Sequence, residues 1–539
     1  MKERKILKNK AYLYLTEFFS GMALMAVEIG AQRLISPYFS SSQIVWTMII
    51  GTIMIAMALG NVYGGRSADK DPDPDRLYRR ILIAAIWLAL IPVVGKYVII
   101  GISALLIFKV SHGFLIIAAF VVCMVVFVFP LFLLGTVTPS LAKYTMGSLE
   151  DNGKIVGTLG ASNTIGSIIG TFIPTFVTIP AVGTNVTFLI FSGILIALSL
   201  IYFFSIGFTY HKKKIVASCL IFALCIVFGH QTDFAFWESG DNVKYEGEST
   251  YNYLRVTDDG SQVALSTNVL FGVQSVLNKQ KSLTGMYYDY AMAAPLMTKN
   301  ALKGQDALIL GMGSGTFAHQ CSEYLQQVHC EGVEIDQKIT DLARKYFDEP
   351  KSTKVVTYDG RAYLSAIDKK YDVIMVDAYQ DITIPFQMSS VEFFRMVKEH
   401  LNDGGVMVVN MNMRGQTKGS ITDYLTDTIQ SVFPTVYTAD VPNTTNRELF
   451  ASMSPDIKNN LDMNLALSSQ NDEFTEMMAQ VSDGLVKQPG GSYILTDDKA
   501  PVELLGIRVI DRLINDEVSY YRDIYDKQGI RGVMQELGI

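Results

Sequence analysis

The sequence predicts a membrane α-helical bundle followed by an α/β domain that is built on a doubly wound parallel sheet, with a small β-hairpin element between them. Two observations predict this division. Apolar segments of hydrocarbon length concentrate before residue 230, and strand-like segments alternate with helix-like segments through the second half. At 539 residues the chain is also too long for a single core, so at least two domains are expected.

The first 232 residues predict a transmembrane domain of about seven helices. The N-terminal apolar stretch is too long for a signal peptide and lacks a small-residue cleavage site, so we expect a retained first helix. Residues 101–110 either extend the third helix or re-enter the membrane. The apolar segments are 12–35, 44–63, 81–100, 114–137, 155–181, 186–206 and 215–228.

One carboxylate in the predicted bundle is a candidate site residue. Glu28 lies within the first apolar segment, where a charged side chain costs ~2.5 kcal/mol or more unless it faces protein or water. Two interpretations remain open for it: receiving a cationic substrate, or forming a structural hydrogen bond to another helix.

The stretch 306–336 predicts a nucleoside-binding unit. An apolar strand leads into Gly311, Gly313 and Gly315, and an amphipathic helix and a second apolar strand that ends at Glu334 follow. The glycines let the backbone approach a ligand where a Cβ would collide. Glu334 follows the last glycine at close to the ~20 residues typical of such units, and its carboxylate can accept both ribose hydroxyls.

Further strands predict where the remaining polar groups of the site lie. Asp359 and Asp377 follow two of these strands directly, as Glu334 follows the strand before them. Because parallel strands end at the same sheet edge, we expect the three acids to lie together there. The predicted strands are 354–358, 371–376 and 405–411, the helices 337–346 and 389–401, and the β-hairpin 245–270. The predicted boundaries are 233–300 for the linker and hairpin element, 301–515 for the catalytic domain and 516–539 for a tail.

Composition argues against several classes of partner. The formal net charge is −7 without a basic stripe, so nucleic acid is not expected. Neither the five cysteines nor the six histidines show metal-ligand spacing, so no metal is expected.

The second half contains the motifs Gly272-Val-Gln-Ser275, Val333-Glu-Ile-Asp336 and Tyr358-Asp-Gly360 and the strand that ends at Asp377. The first half contains Arg33-Leu-Ile-Ser-Pro-Tyr-Phe39 and Gly64-Gly-Arg-Ser-Ala-Asp69. By these motifs the second half resembles spermidine synthase and related aminopropyltransferases, which have a Rossmann-like class I methyltransferase fold, and the first half resembles the multi-helix membrane domain that is fused to such proteins.

This resemblance implies roles for the predicted site residues. The glycine loop and Gln274 would contact a sulfonium nucleoside donor, Glu334 its ribose and Asp359 its adenine, and Asp377 would be the general base. The donor would be decarboxylated S-adenosylmethionine or S-adenosylmethionine itself, used as a co-substrate and without a metal.

The chain also departs from the family pattern at positions that hold amines. Ser314 and Gln380 stand where the family has aspartates, and the family's Tyr-x-Glu segment is replaced by Tyr288-Asp-Tyr290. Fewer charge partners would then meet a di-cation, unless other acids substitute. The candidate substrate residues are Tyr288, Asp289, Gln380, Asp381, Asp498 and Glu28.

The resemblance implies transfer of an aminopropyl or aminocarboxypropyl group to an amine, with release of methylthioadenosine, as in polyamine biosynthesis. The alternatives are a lyase that releases methylthioadenosine without an acceptor, a methyltransferase, and a polyamine transporter or sensor with a regulatory nucleoside domain. The expected partners are a small-molecule amine or polyamine and the lipid bilayer, and a homodimer is left open.

Sidedness is where two expectations conflict. Basic residues gather in segments that the positive-inside rule assigns to the cytoplasm: the N-terminus, 66–80, Lys143, Lys154 and 212–214. Seven helices would then leave the second half outside the cell, whereas a sulfonium nucleoside is a cytosolic metabolite. We expect a multi-pass protein of the cell membrane with a cytoplasmic catalytic domain, and hence a helix count that is off by one.

Overall fold

The computed structural model describes residues 6, 9–107, 109–110, 113–145, 152–207, 212–237, 242–269, 273–299, 301–350, 352–378, 384–412, 414, 418–467 and 472–536. The chain divides into two compact units. The first comprises Met1–Phe236 with Gly247–Tyr253, and the second comprises Trp237–Glu246 with Leu254–Ile539.

The first unit is helical. Each of the seven apolar segments of the sequence falls within its helices, and Gly101–Ile107 continues the third helix rather than forming a separate element. A π-helical turn, Pro174–Thr178, joins two of the helices, and Gly183 (φ 80°) interrupts the regular backbone just after it. The helices are α1 (Lys10–Phe39), α2 (Gln43–Lys70), α3 (Pro74–Ile107), α4 (Phe114–Gly135), α5 (Val137–Thr145), α6 (Asn152–Ile173), α7 (Ile179–Ile206) and α8 (Lys212–Gly229).

Five helical stretches among the described residues are long and apolar enough to cross a membrane: Lys10–Phe39, Gln43–Lys70, Pro74–Ile107, Phe114–Thr145 and Asn152–Ile206. Small residues let two of these helices approach closely. A Cβ at Gly166 or Gly170 of α6 would overlap the backbone of α1 at Phe18 or Met22, so side chains are excluded at this crossing.

A four-stranded sheet, most of whose residues belong to the second unit, consists of β1 (Val243–Glu248), β2 (Tyr253–Asp258), β3 (Gln262–Ser266) and β4 (Ser275–Asn278), in that order. The hairpin predicted between residues 245 and 270 is the antiparallel β2–β3 pair, and β1 and β4 extend it to four strands. Its turn forms because the Asp259 carboxylate accepts hydrogen bonds from the backbone N–H groups of Ser261 and Gln262, next to Gly260 at φ +94°.

An eight-stranded sheet forms the centre of the second unit, in the order β12-β10-β11-β9-β8-β5-β6-β7. Its five strands from β5 to β9 are parallel, as the sequence predicts, and the central residues of β5, β8 and β9 are buried and apolar. The other three strands are antiparallel additions that the sequence analysis did not foresee, and β11 lies between β9 and β10. The strands are β5 (Gln305–Leu310), β6 (Val328–Glu334), β7 (Lys354–Thr357), β8 (Tyr371–Val376), β9 (Leu401–Met411), β10 (Thr435–Asp440), β11 (Arg447–Ser452) and β12 (Val486–Lys487).

Helices connect the strands of this sheet, as expected for a doubly wound fold. Residues 516–536, predicted as a tail, continue the long helix α18. The helices are α9 (Tyr287–Ala291), α10 (Ala293–Leu296), α11 (Thr316–Tyr324), α12 (Gln337–Tyr346), α13 (Gly360–Ala366), α14 (Val391–Glu399), α15 (Ile421–Gln430), α16 (Ile457–Leu467), α17 (Asp472–Gly484) and α18 (Val502–Glu536).

Candidate active site

Four polar residues lie in one row across the carboxyl edge of the parallel strands. Leu310 of β5 pairs with both Val333 and Val376, Val376 pairs with Val409, and Asn410 pairs with Glu448. Glu334, Asp377 and Asn410 directly follow Val333, Val376 and Val409, and Glu448 is paired with Asn410. These four polar residues are therefore in register across the ends of β6, β8 and β9 and across β11. The chain order reverses between β5 and β8, which is where an open α/β sheet leaves a crevice for its ligand.

The glycine loop after β5 has a backbone that disfavours side chains. Gly311, Gly313 and Gly315 have φ values of +90°, +55° and +83°. A Cβ at Gly311 would also lie 2.6 Å from the carbonyl oxygen of Asp377, and one at Gly313 would lie 2.9 Å from the Ser275 hydroxyl oxygen. Gly311 and Gly313 therefore let the loop lie against the end of β8 and against β4, and the positive φ of Gly315 completes the turn into α11.

The Glu334 carboxylate is buried and closes this loop from the next strand. It accepts hydrogen bonds from the backbone N–H of Gly313 at 2.9 Å and from that of Asp336 at 3.0 Å. Burial raises the pKa of Glu334 to about 7, and the charge of Asp336 adds to this rise, whereas the backbone hydrogen bonds oppose it. The carboxylate is thus fixed at the tip of β6, where the ribose contact is predicted.

Asp377 is held by two side-chain donors. The Tyr287 hydroxyl donates to one carboxylate oxygen at 2.8 Å, and the Asn410 amide donates to the other at 3.0 Å. Asn446 in turn donates to the Asn410 side-chain oxygen at 2.8 Å, which fixes the orientation of that amide. Burial raises the pKa of Asp377 to about 7 and the charge of Glu334 adds to it, whereas the two hydrogen bonds act in the opposite direction.

The segment before α9 places the next predicted site residues. The Tyr288 hydroxyl donates to the backbone carbonyl of Gln274 at 2.6 Å, so both residues lie beside the glycine loop. Asp289 is buried, and its carboxylate accepts hydrogen bonds from the Thr284 and Gly285 backbone and from Gln320. The structure thus brings Gln274 and Tyr288 to the site and gives Asp289 contacts that hold its own loop.

Two other predicted acids lie near α13. Asp359 caps this helix by accepting a hydrogen bond from the Ala362 N–H at 2.8 Å, and it follows β7 at the same sheet edge. Asp498 is exposed, and its neighbour Asp497 forms a bidentate ion pair with Arg361. Gln380 and Asp381 lie outside the described residues.

The helical unit contains the last predicted residue and one that the sequence analysis missed. Glu28 is partly exposed on α1. Glu17 on the same helix is fully buried and accepts hydrogen bonds from Thr138 at 2.5 Å and Asn163 at 2.8 Å. Glu17 lay within the same apolar segment as Glu28, so the rule that singled out Glu28 applied to it equally.

Sequence analysis also missed Tyr287, Asn410 and Glu448. Asn410 is the last but one residue of the predicted strand 405–411, so a search for polar side chains near strand ends that included amides would select it. Glu448 is an isolated acid ahead of an apolar strand segment, which is an unusual place for a carboxylate. Tyr287 has no comparable signal beyond its position next to Tyr288.

This arrangement suits proton transfer beside a nucleoside. A carboxylate with a pKa near 7 can accept a proton at neutral pH, and Asp377 is oriented for this by Tyr287 and Asn410. In the described part of the chain, no cluster of three or more histidine, cysteine, aspartate or glutamate side chains could hold a metal ion.

Comparison with known proteins connects this geometry to a family. Residues 285–462 match the spermine/spermidine synthase domain. The chain is 53% identical over 357 residues to a probable polyamine aminopropyl transferase of Bifidobacterium longum, a match that covers 63% of this chain and 78% of that protein. It is 29% identical over 162 residues to the polyamine aminopropyltransferase of Vibrio vulnificus, and this match spans about half of that relative (53%) and 29% of this chain. A probable spermidine synthase structure from Corynebacterium glutamicum aligns with 19% identity over 46% of this chain and 97% of that one, at a TM-score of 0.35. On the extent and identity of the Bifidobacterium match, the chain belongs to the polyamine aminopropyltransferase family of enzymes.

Proposed function

We propose that the chain transfers the aminopropyl group of decarboxylated S-adenosylmethionine to a small-molecule amine and releases methylthioadenosine. The observation that supports this most is the Asp377 carboxylate, which two side chains orient at the point where the strand order reverses. A proton acceptor at that place, in a chain of this family, is what amine alkylation needs.

The residues at the carboxyl edge fit the nucleoside part of this donor. The glycine loop carries no side chain at three of its positions, so a ligand can approach its backbone more closely than a Cβ would allow. Glu334 lies in the β6 position that accepts ribose hydroxyls in such folds, and Asp359 follows β7 beyond it. Gln274 would contact the donor from the other side of the loop.

The reaction balances with a single proton acceptor. The amine nitrogen attacks the propyl carbon next to the sulfonium sulfur, a C–N bond forms, and the C–S bond breaks. The sulfur keeps the electron pair and leaves as the neutral thioether of methylthioadenosine. The nitrogen loses one proton to Asp377, and because the thioether leaves easily, positioning supplies much of the acceleration.

We favour the decarboxylated donor over S-adenosylmethionine itself. The relatives with matching sequences are named aminopropyltransferases, and an aminopropyl group comes from the decarboxylated form. S-adenosylmethionine would deliver an aminocarboxypropyl group instead. The positions where acids are replaced, such as Ser314, keep a lyase as the second candidate, because fewer charges would remain to hold an acceptor amine.

We further propose that the helical unit resides in a membrane. Several of its large apolar side chains face outwards, among them Met54, Leu105 and Phe176, with 65%, 69% and 65% of their surface exposed. Exposed apolar surface on helices of spanning length is typical of contact with lipid.

We place the catalytic unit in the cytoplasm, where the donor is made. The helix that decides the topology is α8, which at 18 residues is barely long enough to span. A cytoplasm-dependent reporter fused after residue 539 should be active, and an inactive reporter beside an active periplasm-dependent one would contradict this sidedness.

A product assay tests the enzymatic proposal. Purified full-length protein is incubated with either donor, with and without polyamines, and the products are identified by mass. We expect methylthioadenosine and an alkylated amine, formed only when the decarboxylated donor and an amine are both present. Methylthioadenosine released at the same rate without an amine would support the lyase instead, and a methylated product would indicate a methyltransferase.

A further inference from the structure

Glu448 is a buried carboxylate that the proposed reaction does not use. It lies on β11 with no exposed surface, and neither of its oxygens has a hydrogen-bond partner among the described residues. An acid left without partners in a protein interior is costly, so its presence calls for an explanation. A ligand that supplies the missing partner is one such explanation.

The register of the sheet gives the direction in which Glu448 points. Its cross-strand neighbour is Asn410 of β9, and directly paired residues of antiparallel strands project to the same face. Asn410 donates to Asp377, so Glu448 lies on the face of the sheet that carries the reacting site. Arg447, the preceding residue, projects to the opposite face and pairs with Asp440 there.

The cross-strand neighbour makes no hydrogen bond to this carboxylate. The Asn410 amide donates to Asp377, its oxygen accepts from Asn446, and both Glu448 oxygens lack a partner among the described residues. The charge of Asp377 adds to burial in raising the pKa of Glu448, which agrees with the two carboxylates lying near each other. Two neighbouring acids, of which Glu448 is fully buried, favour a cationic ligand over a neutral one.

The row of acids also has an order. Glu334 is on β6, Asp377 on β8 and Glu448 on β11, so one strand separates each acid from the next. At ~4.8 Å between strands, the backbones of consecutive acids are about 10 Å apart. With the ribose at Glu334 and the reacting nitrogen at Asp377, Glu448 lies on the far side of the reaction from the nucleoside.

From this geometry we propose that Glu448 binds the second ammonium group of a diamine or polyamine acceptor, the one remote from the reacting nitrogen. This inference rests on the proposed function. The acceptor enters past Asp377, which keeps part of its surface exposed, and its methylene chain extends over Asn410. Glu448 thereby selects acceptors that carry two charges, and it makes up for acids that the chain lacks elsewhere, such as the one replaced by Ser314.

A binding experiment without chemistry tests this role. Full-length protein saturated with methylthioadenosine is titrated with 1,4-diaminobutane and with butylamine, which has the same carbon chain and no second ammonium. The wild type should bind the diamine about 10- to 100-fold more tightly, the range for a hydrogen bond to a charged group. Glu448→Gln should bring the two affinities within about threefold of each other and leave methylthioadenosine binding unchanged.

A matched control separates binding from folding. Glu331 is a buried carboxylate on the same sheet that accepts hydrogen bonds from Tyr363 and Tyr371 and pairs with Lys354. Glu331→Gln should lower the unfolding temperature and keep the diamine preference. Glu448→Gln should unfold at the same temperature as the wild type or above, because it removes an unpartnered buried acid.

Two results would overturn the assignment. One is a Glu448→Gln protein that still prefers the diamine as strongly as the wild type does, and the other is a wild type that binds both amines equally. Neither depends on turnover, since the reactive donor is absent. Failure of the proposed transfer would show separately, as donor and diamine that bind together without forming an alkylated product.

Discussion

Replacing Asp377 by asparagine removes the proposed proton acceptor while preserving its surroundings. The single side-chain oxygen of the new asparagine can still accept from Asn410, and the Tyr287 hydroxyl can rotate to accept from the new amide N–H. The substitution therefore leaves both neighbours hydrogen-bonded, and the protein should fold as the wild type does.

The expected loss is kinetic. General-base catalysis typically contributes ~10²- to 10⁴-fold, which is about 3 to 5 kcal/mol of barrier, so Asp377→Asn should reduce turnover by that factor. Affinity for methylthioadenosine should stay within about threefold, because the proposed nucleoside contacts, Glu334 and the glycine loop, lie on the other side of β5. Higher pH should not restore the rate fully, since the amide cannot take the proton.

The measurement compares turnover at saturating donor and amine with calorimetric binding of methylthioadenosine. Asp372→Asn is the matched control: Asp372 lies on the same strand and accepts hydrogen bonds from the Asp306 N–H and from Asn402, away from the site. It should turn over at close to the wild-type rate. An Asp377→Asn protein that binds donor poorly yet reacts normally at saturation would refute the assignment of Asp377 as base.

Four further predictions follow from the same contacts. Tyr287→Phe removes a hydrogen bond that lowers the pKa of Asp377. The rising limb of kcat/KM against pH, expected near 7, should therefore shift to higher pH by about one unit, because the lost bond contributes ~1.5 kcal/mol. A limb that does not shift would exclude Asp377 as the titrating group. Glu334→Gln should weaken methylthioadenosine binding by roughly 1.5 to 3 kcal/mol in calorimetry, and unchanged affinity in a folded variant would remove Glu334 from the site. Burial raises the folded-state pKa of Glu334 and Asp377 to about 7, so the native state binds more protons than the unfolded chain between about pH 4 and 7. The free energy of unfolding should therefore fall as pH rises through that window. The fall should be smaller in Glu334→Gln and in Asp377→Asn than in the wild type. In the helical unit, Glu28→Gln should lower turnover without impairing purification. Glu17→Gln should chiefly lower stability, because it disturbs the hydrogen bonds to Thr138 and Asn163. If Glu28→Gln turned over every amine at the wild-type rate, Glu28 would have no functional role.

The glycine loop and Glu334 could be predicted from sequence because their geometry is local. A strand, a turn with positive φ values, a helix and a second strand follow one another within a single stretch of chain, and each has its own residue signature. The parallel strands β5 to β9 were predictable for the same reason, since each has its own apolar run.

The surroundings of Asp377 could not be predicted in this way. Tyr287, Asn410 and Asn446 come from three distant segments, and only the sheet register and the placing of β11 beside β9 bring them together. A sequence indicates strands more readily than the order in which they pair. The same limit concealed the place of Glu448 in the row of polar residues, because its neighbour Asn410 lies on another strand.

Asp289 was predicted from the sequence as a substrate residue, and its contacts in the structure are local. It was a candidate for substrate binding because it lies one residue from the acid of the family's Tyr-x-Glu segment, but its carboxylate accepts hydrogen bonds from its own loop, at Thr284 and Gly285. A buried acid that is satisfied locally has less capacity left for a substrate than one without partners.

Transfer of the propyl carbons themselves tests the central claim most directly. Decarboxylated S-adenosylmethionine labelled in the propyl carbons is incubated with the purified protein and 1,4-diaminobutane, and the label is followed by mass. We predict that the label passes to the amine, with unlabelled methylthioadenosine formed in equal amount and at a rate that falls ~10²- to 10⁴-fold in Asp377→Asn. Label released in a small fragment without an alkylated amine, or label that stays on the nucleoside, would contradict the claim that the chain is an aminopropyltransferase.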